Sequence, residues 1–110
     1  METVKRLFIV GYSYSIFVGR RESSYKLVAL TDCTGMPENH PAVISQHRIA
    51  ELMVKDWIVD KLPNAVGVNI GPGLLIASGD FDTPDGALHA PLFETVEAKE
   101  QRELHDRARR

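Results

Sequence analysis

Two clusters of residues have the types and spacing for chemistry. Asp80, Asp82 and Asp85 share one loop, Asp80-Phe81-Asp82-Thr83-Pro84-Asp85-Gly86. Carboxylates on near-alternate positions can gather around a hard cation such as calcium or magnesium. The pattern does not continue as a calcium loop. Pro84 stands where the next ligand belongs, and Pro91 where a bidentate glutamate is needed. A polar turn, its aspartates bonded to their own backbone, accounts for the same residues. The three aspartates are metal candidates by spacing alone, and no cofactor is expected.

Cys33, His40 and His47 form the second cluster. A thiol beside an imidazole can act as nucleophile and base. With Asp32 next in sequence, Asp32, Cys33 and His40 are the catalytic candidates. Zinc would need a fourth ligand and a different spacing. The plainer account makes Cys33 a small buried residue at a strand end, His40 a loop residue before Pro41, and His47 an outer helix residue. Gly67, Gly71, Gly73 and Gly79 are dense, but no Gly-Lys-Ser/Thr follows, so they make no phosphate loop.

These candidates sit on elements that the chain spells out by period and punctuation. Phe8, Val10, Tyr12, Tyr14, Ile16 and Val18 alternate with Gly11, Ser13 and Ser15, which predicts a long strand or two strands split by a bulge at Gly11. The even face should lie on the core, and the small odd face leaves room for close approach. Gly19 to Ser24 reads as a turn and Tyr25 to Thr31 as a second strand, giving a hairpin. Loop 32–41 leads to a helix from about Pro41–Ser45 to Leu62, with Asn39 a possible cap and Pro63 the stop. Ile49, Leu52, Met53 and Trp57 recur at helical spacing as its buried stripe. Val66–Ile70 and Leu74–Ser78 read as a hairpin around Gly71-Pro72-Gly73, and Ala87–Phe93 as an edge strand. The expected core is Phe8, Val10, Ile16, Val18, Leu27, Ile49, Leu52, Met53, Trp57, Val68 and Ile76.

The expected fold is α+β: a two-layer sandwich, its sheet mainly antiparallel, with one long helix packed on one face and a polar C-terminal helix, in the order ββαββ(β)α. Residues 1–93 read as one domain and 94–110 as a charged helix or tail. With 44% apolar and 25% charged residues over 110 positions, the chain can bury a core without staples. A lone cysteine and the absence of a leader or membrane-length apolar run point to a cytoplasmic setting.

Leu7-Phe8-Ile9-Val10-Gly11-Tyr12 resembles the shorter RNA-contact motif of the RNA-recognition-motif family. That resemblance implies single-stranded RNA stacked on Tyr12 and Tyr14, with Arg20 and Arg21 touching phosphate. Two departures stand against it. The strand pattern runs on to Val18, and the family's basic-Gly-aromatic octapeptide is absent. The net charge of −2 also argues against nucleic acid and anionic membranes.

The expectation that remains is a small protein-interaction module, an adaptor or inhibitor of the kind phages and mobile elements encode. It would act through a sheet face or edge, with Ser13, Ser15, Arg20 and Arg21 as binding candidates and a protein or a second copy as partner. The alternative is a small enzyme or ligand-binding domain with its site between loops 32–41 and 80–86.

Overall fold

The computed structural model describes residues 3–17, 19–93 and 104. Two long strands make the middle of the sheet: β1, Val4–Phe17, and β2, Arg20–Asp32. They pair antiparallel from Val4↔Asp32 to Phe17↔Arg20. The hairpin is the expected one, but β2 begins five residues before its apolar run. Arg20–Ser24 is strand because the backbone of Tyr12–Phe17 takes its hydrogen bonds there, whatever the side chains.

After loop 33–40 come α1, Pro41–Ile44, and α2, Gln46–Lys61. Pro41 takes the first helical turn as expected. The cap is His40 rather than Asn39, with the Ala42 N–H donating to His40 Nδ1 at 3.1 Å. The expected single helix is thus two, joined at Ser45.

β3, Val66–Gly79, and β4, Leu88–Leu92, complete a sheet of order β3-β1-β2-β4. α2 carries the chain over β1, so β2 and β3 flank β1 and each runs antiparallel to it. β4 runs parallel to β2. The sheet is therefore mixed, not antiparallel throughout, because the 80–87 connection crosses the sheet instead of turning back.

The expected hairpin at Gly71-Pro72-Gly73 does not form. Ile70 pairs with Tyr12 and Gly73 with Val10, so Gly71 and Pro72 together oppose Gly11 as a bulge within one strand. The two glycines allow a close approach of backbones: a Cβ on Gly71 would lie 3.3 Å from the Gly11 carbonyl oxygen. The element order is accordingly ββααββ among the described residues. The expected C-terminal helix falls in 94–110, outside them apart from Leu104.

Phe8, Val10, Val28 and Leu30 from the sheet meet Ala50, Val54 and Ile58 from α2 in the core, with Met53, Trp57 and Val68 packed against it. The helix thus buries an i,i+4 row beginning at Gln46; of the expected stripe Met53 and Trp57 pack against this core, while Ile49 and Leu52 are exposed. Apolar residues nearly encircle α2, and small Ala50 lets it approach the sheet most closely. Ile16 and Ile76 are exposed as well, Leu27 is half-buried, and Val18 is outside the described residues. On the opposite face Leu7 and Ala29 are also buried. The 80–87 connection crosses there, held by Lys5 Nζ donating to the Phe81 carbonyl at 3.0 Å. Among the described residues, no helix is long and apolar enough to cross a membrane.

Candidate functional site

Asp32 and Arg6, adjacent in the sheet and 3% and 4% exposed, form an ion pair beneath the start of α2. Arg6 Nη1 donates to Asp32 Oδ2 at 2.6 Å and to Gln46 Oε1 at 3.1 Å. Gln46 Nε2 closes the triangle, donating to Asp32 Oδ2 at 3.0 Å. The Thr34 N–H and hydroxyl donate to Oδ1. Burial pushes the Asp32 carboxyl up, but the bonds from Thr34, Arg6 and Gln46 outweigh it and hold the carboxyl at about 2, below its ordinary 3.8. The triangle ties β1, β2 and α2 together, and its carboxylate is fully committed to structure.

The other catalytic candidates are also engaged. The Cys33 N–H donates to the Leu92 carbonyl at 2.8 Å, and its Sγ lies 3.7 Å from the Thr31 carbonyl. His40 caps α1, and His47 Nδ1 donates to the Ile44 carbonyl at 2.7 Å. Loops 32–41 and 80–86 lie at one end of the sheet but on opposite faces. Glu38 of the first approaches Arg6 at 3.9 Å, while Phe81 of the second holds neighbouring Lys5, whose side chain points the other way. Asp80, Asp82 and Asp85 are exposed. Among the described residues, no three His, Cys, Asp or Glu side chains are grouped to hold a metal ion.

At the far end of the sheet, three of the four binding candidates do meet. Arg21 Nη2 donates to Ser13 Oγ and to the Gly67 carbonyl, each at 2.8 Å, and Nη1 to Ser15 Oγ at 3.5 Å. The group stitches β2, β1 and β3 across the small odd face. Gly67 has φ +60°, a left-handed conformation that turns its carbonyl to Arg21. Arg20 is apart, pairing with Glu22 at 3.2 Å. Tyr12 and Tyr14 lie on the helix face instead. Tyr12 meets Trp57 edge-on at 5.9 Å, and Lys26 sits 4.3 Å over the same indole.

The surface that residue reading missed is the outer side of β3. Among the described residues no strand pairs with it. Leu74, Leu75 and Ile76 stand there 58%, 54% and 52% exposed. Two clefts open between β3 and the helices. One of about 360 Å³ is lined by Arg48, Glu51, Leu52 and Pro72, and one of about 380 Å³ by Ile44, His47, Leu74 and Leu75. The signal was present in the sequence: Val66–Gly79 has no charged residue. Strands read as a hairpin conceal it, because each would then shield the other. No family model, curated protein or solved structure matches this chain.

Proposed function

We propose that this chain is a small protein-interaction module whose working surface is the outer edge of β3. The observation that carries the reading is an uncharged fourteen-residue edge with four large apolar side chains, Val66, Leu74, Leu75 and Ile76, more than half exposed. Protein edges are usually blunted by lysine, proline or inward charge. Pro72 and three register shifts interrupt this one, but no charge guards it. An open ladder of N–H and C=O groups offers affinity to an extended segment, and the adjoining clefts accept its side chains.

The test is the substitution Ile76→Lys. Position 76 is more than half exposed, so the domain should keep its thermal midpoint while partner capture from the native cell is lost. Capture that survives the lysine refutes the edge as the working surface.

A further inference from the structure

We propose that the edge of β3 takes a second copy of this chain, β3 against β3 in antiparallel sense, about a two-fold axis beside Leu74. This rests on the edge being the working surface and names its occupant.

The irregularities of β3 locate the axis. Gly73, Leu74 and Leu75 pair in register with Val10, Ile9 and Phe8, between the bulge at Gly71-Pro72 and the extra residue Ile76. Leu74 is the midpoint of that regular stretch. Antiparallel pairing about it sets Gly73 against Leu75 of the other copy and covers both leucines. The bulges beyond limit the ladder, so the contact closes on one partner rather than propagating as a fibre.

α2 runs inward of this edge and touches the strand one residue from this point, at Gly73. A Cβ on Gly73 would meet the His47 carbonyl oxygen at 2.8 Å and Glu51 Cγ at 3.4 Å. The axis therefore passes the helix between residues 47 and 51. A two-fold there runs the helices antiparallel and brings Arg48 of each copy level with Glu51 of the other. Both side chains line the cleft on that edge, and among the described residues neither has an ion-pair partner within 4 Å. The strand brings no charge to oppose itself. A foreign strand would gain the ladder without the two reciprocal ion pairs.

Area sets the strength. Gly71–Ala77, the regular stretch together with the bulged residues that flank it, spans about 24 Å at ~3.4 Å per residue, and the molecule is 19 Å thick. The strip is about 450 Å² per copy, or about 900 Å² in total, at the small end of specific interfaces. The dimer should be reversible, with a dissociation constant in the micromolar to millimolar range.

Sedimentation of the full chain across that range should show a monomer–dimer equilibrium. Ile76→Lys should weaken it at least about tenfold. Arg48→Glu and Glu51→Arg should each weaken self-association, since each sets like charges opposite one another. Mixed together, the two variants should pair with each other and recover the dimer. A chain that stays monomeric to about 1 mM overturns the inference, as does a dimer insensitive to all three substitutions or a mixture that fails to recover. If the chain is monomeric while Ile76→Lys still abolishes capture of a different protein, the edge remains the working surface and only the second copy is wrong.

Discussion

Arg6 and Arg21 both brace strand pairs of one sheet, yet they do so under opposite conditions. Arg6 is buried and meets a carboxylate and an amide. Arg21 is exposed and meets two hydroxyls and a backbone carbonyl. The two sets of contacts are not equivalent. A buried charge that loses its partner keeps the whole cost of its desolvation, whereas an exposed guanidinium returns to water. The comparison teaches that the fold is fixed at the end where α2 begins, while the far end is held by contacts that solvent can replace.

The largest expected effect comes from breaking the buried side. Arg6→Met should lower the free energy of unfolding by about 3–5 kcal/mol in urea titration, because Asp32 stays buried without its cation. Replacing both partners, Arg6→Met with Asp32→Leu, should recover much of that loss. A single variant as stable as the parent would erase the distinction between the two arginines.

Acid should act next, and on the same end. The folded Asp32 carboxyl lies at about 2, below its ordinary 3.8. The folded state therefore binds its proton less readily, and the resulting stabilisation is complete above about pH 4. It is lost as pH falls from there through 2, by about 2 kcal/mol. Unfolding free energies measured from pH 5 to pH 2 should show this slope, and Asp32→Asn should flatten it.

At the far end the backbone should matter more than the charge. Gly67→Ala forces a left-handed conformation on a residue with a Cβ, and its melting shift should correspond to about 1 kcal/mol. Arg21→Ala should cost under about 0.5 kcal/mol in the same melts, the ordinary range for an exposed substitution. A larger loss at Arg21 than at Arg6 would reverse the comparison.

What the sequence made legible follows the same division between local and distant causes. The alternation from Phe8 to Tyr14 correctly puts Phe8 and Val10 in the core, and it sets Ser13 and Ser15 together on the other face, where Arg21 joins them. Pro41 and Pro63 bound the helical region because proline acts on its own neighbours. The helix's buried row was not legible. Both Ile49–Leu52 and Ala50–Val54 are apolar rows, and only the sheet beneath chooses between them. Gly71-Pro72-Gly73 has the chemistry of a turn and of a bulge alike, and pairing with Gly11, sixty residues back, decides for the bulge. The Arg6–Asp32–Gln46 triangle joins positions 26 and 40 residues apart, with no local signature. The exposed edge escaped for the same reason, since a strand becomes an edge only once the sheet order is known.

The sheet order also has a consequence in time. The first two strands are the central ones, and the strand that covers the outer side of β1 ends at Gly79, 62 residues after Phe17. At about 5–20 residues per second on the ribosome, β1 waits roughly 3–12 s for that cover. Through this interval Leu7, Phe8, Ile9 and Val10 present a bare strand to the surrounding solution or to a neighbouring nascent chain. The period of greatest exposure to misassembly therefore falls during synthesis, and slowing translation between Lys61 and Gly79 should lengthen it.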